Sequence, residues 1–361
     1  MIILTNCLTD AADEGSVKVA ASLAKRLRQL YPDAELISYG ENHPLCDHHL
    51  SIRNKLMLSG RLMRLLRRRR DTVLYLPFPA KFATTAARTF VVSAFARRRV
   101  LLLLPMRSPK IGRLARLLMQ LSGARLIVLS EELRQDYEKL FPGRVEYVRA
   151  GVDTQKFTPE PDSRLRLRAK YGVPEDKPVV LHVGHLKEGR NVGTLLSLDE
   201  RFHVVLVAST HMAHERDEAL RQRLSDRGNI TIIDDFIPDI QEVYRMADVY
   251  YFPVEHEKHC ISAPLSVLEA AACGLPVVCT RFSELKQLEG EEGFYFIDSF
   301  DPAPLNALID RAIRDGSSGC ASALRYDWTL AAQTIAAIEK KESRSAALSG
   351  AAATTNKNGG K

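Results

Sequence analysis

Two segments carry side chains suited to a charged, hydroxyl-bearing ligand. Val183-Gly-His-Leu-Lys-Glu-Gly-Arg190 follows an apolar run, Pro178–Val183, that reads as a buried strand. A glycine-bearing turn at a strand end exposes backbone N–H groups, and with Arg190 and Lys187 beside them it can hold a diphosphate leaving group. Further on, Glu269 sits on a helix among Ala270, Ala271, Ala272 and Gly274, small residues that allow close packing around a carboxylate able to accept two vicinal hydroxyls. Ser209 and Thr210 end the strand run Phe202–Ala208 and face the carboxyl edge of the sheet, where open α/β sheets bind ligands. Gly15 and Ser16, in Asp13-Glu-Gly-Ser-Val-Lys18, open a helix after the first strand and let backbone approach a phosphate or sugar. Each has a plain alternative: a solvated arginine or glutamate at a helix surface, or an ordinary turn. His43, Cys46, His48 and His49 suggest a metal by composition, but their spacing fits no tetrahedral site, and loop solvation is the simpler reading.

These residues need a scaffold, and the pattern supplies one. Apolar runs alternate with helical periods, the signature of doubly wound α/β domains. Strands are expected near Met1–Asn6, Ala34–Ser38, Thr72–Leu76, Val100–Leu104, Leu126–Leu129 and Val145–Arg149. A second set follows at Pro178–Val183, Phe202–Ala208, Ile230–Ile233, Val249–Phe252, Pro276–Cys279 and Gly293–Phe296. The turn-rich stretch Gly151–Asp162 separates two Rossmann-like domains, 1–150 and 151–325. A helix over 326–342, with the sole tryptophan Trp328, needs a surface to dock on, and the tail 343–361 is expected to be disordered.

A chain of 361 residues, 45% hydrophobic and 26% charged, is too long for a single small module. No apolar stretch approaches the roughly 18 residues of a membrane span. The N-terminus lacks a signal-peptide pattern, and the six cysteines are scattered, so a cytoplasmic location is expected. The net charge of +7 hides a division: residues 1–150 carry 26 Lys+Arg against 13 Asp+Glu, and the remainder 25 against 31. Over Ile52–Arg70 a helical wheel groups Ile52, Leu56, Leu58, Leu62, Met63, Leu65 and Leu66 opposite Arg53, Arg61, Arg64, Arg67 and Arg68. Such a helix suits an anionic membrane surface, or packs its apolar side on the sheet as any Rossmann helix does. Nucleic acid is disfavoured, because no aromatics interleave the arginines for base stacking.

Four segments, in this order and spacing, resemble the retaining glycosyltransferase family 4. They are Arg149-Ala-Gly-Val-Asp-Thr-Gln-Lys-Phe-Thr-Pro159, Val183–Arg190, Asp235–Asp248 and Pro264–Val278. The resemblance covers most of 145–340 and implies a GT-B fold, with two Rossmann-like domains facing each other across a donor cleft and a terminal helix crossing back to the N-terminal domain. It implies a metal-independent retaining transfer of a sugar from a nucleoside-diphosphate sugar to a hydroxyl, with that sugar nucleotide as co-substrate and no cofactor. By resemblance Arg190 and Lys187 stabilise the departing diphosphate, Gly184 and His185 border it, and Glu269 takes the ribose. Phe236 and Ile237 border the base, and Ser209, Ser262, Pro264 and Leu265 complete the donor site. His185 stands where the family has an arginine. The family's first glutamate, eight residues before Glu269, is replaced by Ile261, with Glu255, Glu257 and His259 nearby. No histidine occupies the family's N-terminal catalytic place, which reads Leu76-Pro-Phe-Pro79. The basic N-terminal domain suits a glycan or lipid-linked acceptor. A sugar-nucleotide epimerase on the same scaffold, or a non-catalytic subunit binding a partner or membrane, remain alternatives.

Overall fold

The computed structural model describes residues 1–9, 14–52, 54–68, 71–78, 80–107, 110–187, 189–209, 217–256 and 260–355, with side chains to 342. Among these residues two parallel sheets form, each covered by helices. The first has β1 (Ile2–Thr5), β2 (Glu35–Ser38), β3 (His48–His49), β4 (Val73–Leu76), β5 (Val100–Leu104), β6 (Arg125–Val128) and β7 (Val145–Tyr147), in the order β3-β2-β1-β4-β5-β6-β7. The second has β8 (Val179–Gly184), β9 (His203–Ala208), β10 (Ile230–Ile233), β11 (Val249–Phe252), β12 (Val277–Cys279) and β13 (Phe294–Phe296), in the order β10-β9-β8-β11-β12-β13. All pairs are parallel, as in Ile2↔Val73 and Val179↔His203. Strands buried on both faces explain the unbroken apolar runs, such as the wholly buried VLLLL of β5. The strand order reverses between β1 and β4, and again between β8 and β11, so each sheet has a switch point where ligands bind at the carboxyl edge.

The twelve expected strands all form. The addition is β3, two residues paired with Ile37 and Ser38 at the sheet edge. It draws His48 and His49 out of the expected loop: His48 faces Glu35 at 3.7 Å, and His49 Nε2 lies 3.0 Å from the Gly40 carbonyl. Among the described residues no group of three or more His, Cys, Asp or Glu side chains is placed to hold a metal.

Helices α1 (Gly15–Leu30), α2 (Gly60–Arg68), α3 (Phe82–Phe95), α4 (Arg113–Ser122) and α5 (Glu131–Glu138) belong to the first domain. In the second lie α6 (Arg164–Tyr171), α7 (Glu218–Ser225), α8 (Gln241–Met246), α9 (Leu265–Ala272), α10 (Pro302–Asp315) and α11 (Cys320–Ala323). The amphipathic helix expected over Ile52–Arg70 is shorter. Asn54 accepts from the Leu58 N–H at 2.7 Å and donates to its carbonyl at 2.8 Å, a local turn that competes with helix; Met57 there has φ 58°. The helix starts only after Ser59, so Ile52, Leu56 and Leu58 lie outside it, and Leu62 and Leu66 pack on the sheet. Arg61, Arg64, Arg67 and Arg68 remain exposed.

The last helix, α12 (Trp328–Thr355), crosses to the first domain. Trp328, Ala331, Ala332, Ile335 and Ile338 share one core with Val19, Ala20, Leu23 and Leu27 of α1. A bridge from Val152 to Asp327 anchors its start, and a Cβ on Gly151 would fall 2.5 Å from the Trp328 ring, so only glycine fits there. Midway along it Glu342 is buried between Arg99, at 2.9 Å, and Arg125. The backbone stays helical over 343–355, where disorder was expected; this alanine-rich stretch has high helix propensity and continues a helix already nucleated. Residues 356–361 lie outside the described residues.

Candidate functional site

A cavity of 610 Å³ lies between the domains, at the carboxyl edges of both sheets. Gly15 and Lys18 of α1, Phe78 after β4 and Met106 after β5 line it from the first domain. From the second come Gly184 at the end of β8 with His185, Lys187 and Arg190 after it, Ser209 after β9, Asp235–Pro238 and Ile240 after β10, and Pro264, Leu265, Ser266 and Glu269 at α9. The structure thus brings together Gly184, His185, Lys187, Arg190, Ser209, Phe236, Ile237, Pro264, Leu265, Glu269 and Gly15. Thr210, Glu257 and His259 lie outside the described residues.

The turn after β8 is built for its arginine. Gly189 (φ 83°) and Asn191 (φ 55°) bend the chain back, and Asn191 donates to Glu255 at 2.6 Å. Arg190 is buried, with its backbone N–H donating to the Lys187 carbonyl. A Cβ on Gly184 would lie 3.0 Å from Arg190 Nη1 and 3.2 Å from His182 Nε2, so this strand end keeps the guanidinium against bare backbone.

His182 was not singled out in sequence. It is fully buried on β8, and its Nδ1 lies 2.9 Å from the Tyr251 carbonyl, which can only accept. That assigns the proton to Nδ1 and leaves Nε2 an acceptor, without a hydrogen-bond partner among the described residues. Burial foremost, with the nearby Arg190 charge, pushes its pKa down to about 4 from 6.5, despite the opposing Tyr251 bond. A depressed histidine stabilises the fold above its unfolded pKa and loses that contribution as pH falls towards the folded one. The loss for a group titrating at about 4 rather than 6.5 is about 2 kcal/mol between about pH 7.5 and about pH 5. Denaturant melts should therefore show a smaller pH dependence for His182→Gln by about that amount; equal slopes would contradict the assignment.

Glu269 is buried near the centre of the cleft. Its Oε1 and Oε2 accept from Lys18 Nζ at 2.7 and 2.9 Å, and Oε2 also accepts from the Tyr244 hydroxyl at 2.9 Å. Lys18 and Glu269 thus pair across the domains, 251 residues apart in sequence. Neither Lys18 nor Tyr244 was picked out from sequence as part of the site; that Lys18 follows Gly15 by one helical turn is the only trace of its position.

Two expected residues turn away. Ser16 is buried in the first turn of α1, and its N–H already donates to the Glu14 carboxylate at 2.6 Å, so a phosphate there would meet a negative charge. Ser262 is buried outside the cleft lining; its N–H donates across the interface to the Pro105 carbonyl at 2.8 Å, so that group is spent on joining the domains. Ile261 packs instead on Gly15, where a Cβ would stand 3.0 Å from Ile261 Cδ1. Ile261, Ala263 and Leu265 join the first domain's core, making a continuous apolar seam beside the cleft. Phe236, 40% exposed, is no core residue and stands at the cleft wall. Glu284 completes the seam, accepting from Tyr147 and from the Glu131 N–H at 3.3 Å. His185 is the sole histidine among the described lining residues.

Comparison with known proteins bears on this architecture. Residues 177–315 match the family model "Glycosyl transferases group 1". A D-inositol 3-phosphate glycosyltransferase of Acidothermus cellulolyticus is 31% identical over 211 residues, 52% of this chain and 46% of that protein. An alpha-maltose-1-phosphate synthase of Mycolicibacterium smegmatis is 28% identical over 208 residues, 52% of each. The chain spans about half the length of these curated relatives. A Rickettsia africae glycosyltransferase superposes with TM-score 0.75 at 15% identity, covering 94% of this chain and 98% of that one. Anabaena HepE, solved in complex with UDP and glucose, gives TM-score 0.70 at 18% identity, covering 93% and 98%. Those likenesses establish the fold as GT-B. Residues 177–315, the greater part of the second domain, thus resemble the group 1 glycosyl transferases, and they are set in a two-domain GT-B fold.

Proposed function

We propose that this protein moves a sugar from a nucleoside-diphosphate sugar to a hydroxyl on a membrane-linked glycan or lipid, with retention of anomeric configuration. The observation that carries this reading is the convergence of Arg190, Lys187, the α9 N-terminus and buried Glu269 on one interdomain cleft. Arg190 and Lys187 answer the diphosphate, assisted by the first-turn N–H groups of Leu265 and Ser266. Glu269 takes the ribose hydroxyls once Lys18 gives way, and Phe236 and Ile237 border the base. That Anabaena HepE was solved with UDP and with UDP-glucose supports a nucleotide-sugar donor of this kind.

In the proposed reaction the acceptor oxygen bonds the anomeric carbon on the face the diphosphate leaves. The C–O bond to phosphate breaks, and the hydroxyl proton passes to a departing phosphate oxygen. No enzyme nucleophile, metal or cofactor enters. The acceptor approaches from the basic first domain, peripheral to a membrane. The direct test is thermal stabilisation by UDP, GDP, ADP and their sugar conjugates, with a selective rise expected for one base.

Two observations favour a second reading, a non-catalytic subunit. Ile261 packs on Gly15, and Lys18 already pairs with Glu269. Release of nucleoside diphosphate from a stabilising donor separates the two, since a bare scaffold turns over nothing.

A further inference from the structure

The face of the first domain formed by α2, α3 and α4 has no described covering. On α4, Leu114, Leu117 and Leu121 are 69, 49 and 63% exposed. Their spacing of i, i+3 and i+7 stacks them in one stripe pointing outward, opposite the buried Ala115 and Met119. Helix α3, packed alongside, adds Phe90, 36% exposed. Large apolar side chains exposed together along one helix face mark a contact site. The charge around it is one-sided. From His48 to Ser130 the sequence has 18 Lys+Arg and a single acid, Asp71. Arg113 and Arg116 flank the leucines on α4 itself, and Arg97, Arg98, Arg61 and Arg64 are exposed on the same layer.

We infer that this face docks on an anionic phospholipid bilayer, with the α4 leucines and Phe90 inserted among the lipids and the arginines at the headgroups. A second copy of the chain fits the surface poorly, since pairing it with itself would oppose two arginine-rich, acid-free layers. An apolar stripe bordered by arginines is what an interfacial helix presents to a membrane. The placement suits the proposed function, on which its purpose rests: Met106, on the segment between β5 and α4, lines the cleft, so lipid beneath α4 holds a lipid-linked hydroxyl near the cleft.

Sedimentation of the full chain with phosphatidylcholine vesicles, with and without phosphatidylglycerol, tests this. Binding is expected only with phosphatidylglycerol and should weaken with salt. Combined Leu114→Asn, Leu117→Asn and Leu121→Asn should weaken it at least about tenfold with an unchanged melting temperature, because these side chains support no core. Arg190→Ala should bind vesicles like the wild type, so failure of the donor site is distinguishable from failure of this surface. No binding by the wild type, or equal binding by the leucine variant, overturns the inference. A leucine variant that changes only the oligomeric state also overturns it, in favour of a protein contact.

Discussion

Arg190→Ala is expected to lower kcat for sugar transfer by about 10²–10³, equivalent to about 2.7–4 kcal/mol of transition-state stabilisation. The guanidinium is buried beside the carboxyl end of β8, against the bare backbone of Gly184. A charge held in that way needs little reorganisation as negative charge grows on the departing diphosphate. The neutral His182 behind it is part of the arrangement, since a charged imidazole beside a guanidinium would repel it. Arg190→Lys should recover only part of the loss, because an ammonium cannot offer the planar fork that grips two phosphate oxygens. Steady-state kinetics with the stabilising donor would check this. A kcat within a few-fold of wild type would remove Arg190 from the chemistry.

Glu269→Gln is expected to destabilise the protein by about 3 kcal/mol and to weaken nucleotide binding. The carboxylate is buried and accepts from both Lys18 and Tyr244. Removing its charge leaves a partly buried ammonium facing a neutral amide, and breaking such a pair costs more than the pair contributes. Because Lys18 and Glu269 belong to different domains, the loss should also loosen the interface that Ser262 and Glu284 otherwise hold. Lys18→Met separates the two roles. It should cost stability in the same way, yet leave nucleotide binding intact or tighter, since the ribose then competes with nothing for the carboxylate. Denaturant melts and nucleotide titrations of both variants would check this; a Glu269→Gln protein as stable as wild type would contradict it.

The scaffold was legible because parallel strands leave continuous apolar runs, and Val100–Leu104 or Val249–Phe252 can hardly be anything else. The C-terminal side of the cleft was legible for a related reason. Gly184, Arg190 and Glu269 sit at fixed offsets from strand ends, and the chain direction alone brings them to one edge. Pairings between domains left no such trace. Lys18 meets Glu269, and Ser262 meets Pro105, through the closure of two bodies far apart in sequence. The error at Ile52–Leu58 has a local cause: a helical wheel registers periodicity but not the side chain of Asn54, which captures the Leu58 backbone first. Ser16 likewise looked available for a ligand until its N–H proved to be capped by Glu14.

The central claim is that this cleft holds a nucleoside diphosphate, and the melting temperature of the purified protein with UDP, GDP, ADP and their sugar conjugates tests it most directly. At a ligand concentration of 100 Kd a bound nucleotide stabilises the folded state by about 2.7 kcal/mol, which is readily seen. A base-selective rise, lost in Arg190→Ala and Glu269→Gln, is the result expected. No stabilisation by any of these ligands, or an equal rise in Arg190→Ala, would contradict it.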